Sequence, residues 1–108
     1  MNIVDSIINS QVYGGVVGVV PSNVATDNYN VDLDDYIVLC NFTTEKTITL
    51  PSDIENKVFI IKCIGNGNIK FATQLDGIID FKLYKGGAVT VISKGVDYFI
   101  IGSCGYGI

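Results

Sequence analysis

The densest set of groups that could do chemistry is "DNYNVDLDDY", residues 27–36, in which Asn28, Asn30, Asp32 and Asp34 alternate with apolar and aromatic residues. Alternating side-chain oxygens of this kind suit calcium, but the glycine and the closing glutamate of an EF-hand loop are missing. A solvated acidic loop ahead of a strand accounts for the same residues, and no metal site is assigned. Cys40, Cys63 and Cys104 lie in or beside apolar segments, with no Cys-x-x-Cys spacing and no histidine anywhere to complete a zinc site. They read as buried, reduced thiols. The lack of histidine also excludes Ser-His-Asp and Cys-His catalysis. "GNGNIK", residues 65–70, does not complete a dinucleotide fingerprint, and no Gly-Lys-Ser or Gly-Lys-Thr supplies a phosphate loop. Nothing singles out a pair of carboxylates for glycoside hydrolysis. The expectation is a non-enzymatic protein with no catalytic residue and no cofactor.

Charge narrows the partners. Seven Lys plus Arg stand against eleven Asp plus Glu, a net charge of −4, so there is no basic patch to neutralise phosphates and nucleic acid is not an expected partner. No charged side chain occurs from Ser6 through Thr26, yet "VYGGVVGVV" is far short of the roughly 20 apolar residues of a spanning helix. Membrane insertion is not expected. Asp5 stands where a signal peptide would carry a basic residue, so synthesis in a cytoplasm without export by the standard route is expected.

The elements that must position any site are strands. "DYIVLCNF", "KTITL", "KVFIIKCI", "NIKFA", "IIDFKLY", "AVTVIS" and "DYFIIG" are short, rich in β-branched and aromatic residues, and separated by turn residues. Their spacing predicts an all-β fold, a small antiparallel β-sandwich or a jelly-roll-like barrel. Pro51 ends one strand, residues 65–68 (Gly-Asn-Gly-Asn) and Gly86-Gly87 read as tight hairpin turns, and "LDG" at 75–77 and "KG" at 94–95 as further turns. "SDIEN", residues 52–56, fits either one helical turn or a loop.

Several of these strands are apolar on both faces. In "KVFIIKCI" one face carries Val58, Ile60, Lys62 and Ile64 and the other Phe59, Ile61 and Cys63; in "DYFII", Tyr98 and Ile100 oppose Phe99 and Ile101. A half-exposed antiparallel sheet alternates apolar with polar, so strands of this kind are expected to be covered on both sides. A chain of 108 residues with 48% hydrophobic and 17% charged residues can build one modest core, and the simplest second cover is another copy of itself. Phe59, Ile61, Phe99 and Ile101 are therefore the candidate set for the core or an oligomer interface.

The order "TITLP", a short polar loop, "KVFIIKCIGNGNIKF", "LDGIIDFKL" and "GGAVTVISKGVDYFIIG" resembles a recurring β-rich module of bacteriophage fibre and receptor-binding proteins, over about residues 35–102. The chain departs from that pattern at Asp97-Tyr98-Phe99, where the usual tryptophan is absent, and at Leu75, where isoleucine is usual. The resemblance implies a homotrimeric virion appendage, made in the host cytoplasm and displayed as a head fibre or capsid decoration, or alternatively a tail-fibre tip that binds a receptor or host surface glycan. On that reading residues 35–108 form the fibre-head domain and residues 1–34 an N-terminal arm that docks on a capsid or other virion protein. The candidate anchor residues are Val12, Tyr13, Val16, Val17, Val19 and Val20; an ordinary first strand with glycine bulges explains them equally. Aromatic side chains beside polar ones are what a glycan contact needs, which selects Tyr84 with Lys85, and Tyr106.

Overall fold

A computed structural model describes residues 22–107 of the chain. Eight strands carry the fold, and no helix occurs among the described residues: β1 Ser22–Ala25, β2 Tyr29–Asn30, β3 Ile37–Cys40, β4 Lys46–Thr49, β5 Ile54–Cys63, β6 Ile69–Phe71, β7 Lys82–Gly95 and β8 Asp97–Gly107. They form one sheet in the order β1-β3-β5-β7-β6-β4-β2, with β8 added along β7. The sheet folds back on itself at β7 into a nearly closed, barrel-like shape with two walls.

The expected all-β class holds, but the sheet is mixed rather than antiparallel. In one wall β1, β3 and β5 are parallel, in the other β2, β4 and β6 are parallel, and β7 runs antiparallel to both β5 and β6. Parallel neighbours need a crossover, and here each crossover is a strand of the opposite wall: β4 lies between β3 and β5 in the chain, and β5 between β4 and β6. The chain thus climbs in rungs. Ile37 pairs with Ile60 and Lys46 with Ile69, the same 23-residue offset in both walls.

The corners of successive rungs also stack, and this revises the reading of residues 65–68. They form no hairpin, because β5 and β6 lie in different walls and do not pair. The amides of Ile64 and Gly67 donate to the carbonyls of Cys40 and Phe42 at 2.9 and 2.8 Å, laying one corner along the one below. A Cβ at Gly67 would sit 2.1 Å from the Thr44 carbonyl oxygen, and one at Gly65 2.5 Å from that of Phe42. These glycines serve close backbone approach; neither has positive φ. Gly86, φ 86°, bends β7 in mid-strand where it leaves β6 and reaches β5, so "IIDFKLY" and "AVTVIS" do not form separate strands. "SDIEN" is neither helix nor loop throughout: β5 begins at Ile54, with Asn56 at φ 58° in a bulge between Glu55 and Val58. The Lys57 amide displaced by that bulge donates to the buried Ser93 hydroxyl at 2.9 Å.

The core fills the space between the walls. Val38, Cys40, Phe59, Ile61, Cys63, Val89, Val91 and Tyr98 face inward from one wall and meet Ile48, Ile69 and Leu83 from the other, with Phe42 and Leu75 at the corners. Cys40 and Cys63 stack in register on adjacent rungs, and burial pushes the Cys40 thiol up to about 12. The described part of the 1–34 arm belongs to this sheet, through β1 and β2, and contributes Ala25 and Val31 to the core.

Candidate functional site

Two surfaces stand out. The first is the outer side of the wall β1-β3-β5-β7-β8, where residues opposite each other across the strands share a face. Three rows cross it: Val24, Leu39, Lys62, Ala88 and Cys104; Ile37, Ile60, Thr90 and Gly102; and Val58, Ile92 and Phe99. Apart from Lys62, every side chain in these rows is apolar or small and uncharged. Ile37, Leu39, Val58, Ile60 and Ile92 are half-buried by one another, while Val24 and Phe99 keep 57% and 44% of their surface exposed. The Lys62 ammonium is drawn aside to the Gly86 carbonyl at 3.1 Å, its stem lying along the wall.

This arrangement divides the four residues grouped from the pattern. Phe59 and Ile61 are fully buried in the subunit's own core, whereas Phe99 and Ile101 are exposed. Ile101 is the extra residue of a bulge between Thr90 and Val91. Cys104 is exposed as well, against the expectation that all three thiols are buried; it lies on β8, which among the described residues pairs only with β7.

The second surface is a groove of about 420 Å³ at the end of the β7-β8 hairpin, lined by Thr73, Gln74, Asp76, Gly77, Val96, Asp97, Tyr98 and Phe99. Two turns build it. "LDG" makes a tight turn with Asp76 at φ 54°, Gly77 at φ 71° and the Ile78 amide donating to Leu75 at 2.8 Å; Gly95, φ 66°, begins the two-residue connection from Lys94 to Asp97. The turns are clamped together at Asp76, whose amide donates to the Tyr98 carbonyl at 2.8 Å and whose Oδ2 accepts the Ile100 amide at 3.0 Å. Tyr98 is fixed below by its hydroxyl, which donates to the Pro51 carbonyl at 2.6 Å, and burial pushes its phenol up to about 12. Asp76 and Asp97 are the charged groups of the lining, and Phe99 supplies its aromatic surface.

The residues expected to contact a ligand lie elsewhere. Tyr84 is exposed beside the bend in β7, but the Lys85 ammonium is engaged with Asn66 Oδ1 at 3.0 Å and pins the stacked corner. The backbone of Tyr106 pairs with Leu83, next to Tyr84; the side chain of Tyr106 lies outside the described residues. So do all six anchor candidates, Val12, Tyr13, Val16, Val17, Val19 and Val20. The acidic stretch 27–36 is organised around Asp35, which turns inward: its Oδ2 accepts the Tyr29 hydroxyl at 2.6 Å and the Asp32 amide at 2.9 Å. The Asn28 amide, which donates to Oδ1, and then the Lys46 ammonium hold the Asp27 carboxyl below its ordinary value. Among the described residues no three acidic or thiol groups converge as a metal site.

The groove escaped the sequence reading because its halves are about 20 residues apart. The turn signals at 75–77 and 94–95 were both legible; that they meet was not. In comparison with known proteins, the chain matches no family model, no curated protein and no solved structure.

Proposed function

We propose that the protein is a non-enzymatic structural component of a phage virion, a homotrimeric head fibre or capsid decoration. The observation that supports this reading is the apolar outer wall, centred on Ile37, Leu39, Ile60 and Ala88. Lys62, drawn aside to the Gly86 carbonyl, is the one charge in these rows, and three copies packed wall to wall would remove the apolar centre from water, leaving Phe99 on the outermost strand at the rim. The number three comes from the resemblance to phage fibre modules. Residues 1–21, which precede β1 in the chain, are the proposed attachment to a larger assembly.

Light scattering of the purified chain tests the assembly: the expected result is a trimer at micromolar concentration, converted to a folded monomer by Ile60→Lys, whose side chain points away from the core. A monomeric wild-type chain would overturn the proposal. Attachment is tested by deleting residues 1–21 and stopping there, since β1 belongs to the sheet. The truncated chain should still form the oligomer but no longer join virions.

A further inference from the structure

We infer that the groove between the 73–77 turn and the β7-β8 connection is a binding site for a neutral saccharide. Its chemistry is of three kinds. Asp76 and Asp97 are acceptor-only groups suited to pairs of vicinal hydroxyls, and charge-assisted O–H···O⁻ bonds are the strong ones. Gln74 and Thr73 add an amide and a hydroxyl that can both donate and accept. Phe99, on the same groove, keeps 44% of its surface exposed and offers the electron-rich face against which the C–H side of a sugar ring packs.

The groove is pre-organised, and most of its acceptors have no partner among the described residues. Asp76 spends Oδ2 on the Ile100 amide, which fixes the carboxylate, and its Oδ1 has no donor among the described residues. Asp97 and Gln74 form no side-chain hydrogen bond or ion pair among the described residues. A volume of about 420 Å³ is at the small end of ligand sites, sized for a short or terminal saccharide.

Charge decides the class of sugar. Among the described residues the lining has two carboxylates and no Lys or Arg, so an acidic sugar would bring a third negative charge beside two unbalanced ones. The site selects uncharged hydroxyl-rich rings. This holds whether or not the chain is a virion component, although a surface glycan would be a natural target for one.

The test is a titration of the full isotope-labelled chain, followed by amide NMR, with lactose, maltose, cellobiose and N,N′-diacetylchitobiose, and with a uronic-acid disaccharide as the charged control. At least one neutral disaccharide should shift the amides of residues 73–77 and 96–100, with little movement elsewhere. Asp97→Asn and Phe99→Ala should each weaken that binding about tenfold or more while the chain stays folded. The uronate should produce no such shifts. Binding of no neutral disaccharide at concentrations up to about 50 mM, binding undiminished in both variants, or equal binding of the uronate would overturn the inference. Light scattering on the same samples separates loss of sugar binding from loss of assembly.

Discussion

Phe59 on β5 and Phe99 on β8 occupy the same wall of the sheet, two strands apart, yet one is sealed in the core and the other lies open to solvent. In sequence their settings are alike, each an aromatic inside an aliphatic run. What separates them is the wall opposite: Phe59 faces the β2-β4-β6 side and packs on Tyr98 at a ring separation of 6.3 Å, whereas Phe99 faces outward beside Ile92. Alternation assigns residues to a common face, but which face is inside is decided by how the rest of the chain folds back.

The sharpest way to break this comparison is to truncate both rings. Phe59→Ala should cost about 3–5 kcal/mol in urea unfolding, by lost burial plus a cavity. Phe99→Ala should change the stability of the isolated subunit by no more than about 0.5 kcal/mol. Measured in the monomeric Ile60→Lys background, a cost of several kcal/mol at Phe99 would mean that its face is covered within the subunit.

A smaller but distinct effect is expected at the stacked corner, which couples the two walls. Gly67→Ala would place a methyl against the Thr44 backbone and should cost about 1–3 kcal/mol, since backbone cannot move aside as a side chain can. An unaffected midpoint would show that the corners do not touch. Below that in size stands Tyr98→Phe, which keeps the ring in the core and removes the bond to Pro51, and should cost about 0.5–1.5 kcal/mol.

Titration sharpens the contrast between inside and outside. Cys40 and Tyr98 hold their protons to about 12 in the folded chain because burial disfavours the charged forms. In the unfolded chain the thiol and phenol ionise near their ordinary values, so their contribution is fully present below about pH 9 and is lost as pH rises from 9 to 12. The melting temperature should be level from pH 7 to 8.5 and fall above it. The least effect on the molecule is expected from a thiol reagent at neutral pH, which should label the exposed Cys104 and spare Cys40 and Cys63 until the chain unfolds.

Much of the architecture was legible because strand chemistry is local. All seven expected strand segments contribute strand residues, two of them joined in β7, and the turns at 75–77 and 94–95 stand where glycine placed them. β1 and β2 left no signal, since "SNVA" and "YN" are too short and polar to show a period and are held by pairing with distant β3 and β4. The parallel arrangement was equally hidden, because a period of two is common to parallel and antiparallel strands. At residues 65–68 glycine and asparagine gave a true signal of unusual backbone demand, but composition does not tell a turn from a close approach. The carboxylates of the groove were visible as residues of two turns; their proximity depends on Leu75 and Tyr98 bridging across the fold.

The central place of β7 has a bearing on how the protein is made. The walls built from residues 22–71 are linked through hydrogen bonds to β7, yet β7 is not synthesised until residues 82–95. A nascent chain shorter than this has two unpaired central edges, on β5 and β6, beside the Phe59 and Ile61 side chains. Such edges invite pairing between chains, and long-range closure of this kind is slow. The strand that completes the sheet therefore emerges only after both walls have been made, and the interval before β7 docks is when these edges are most exposed to aggregation.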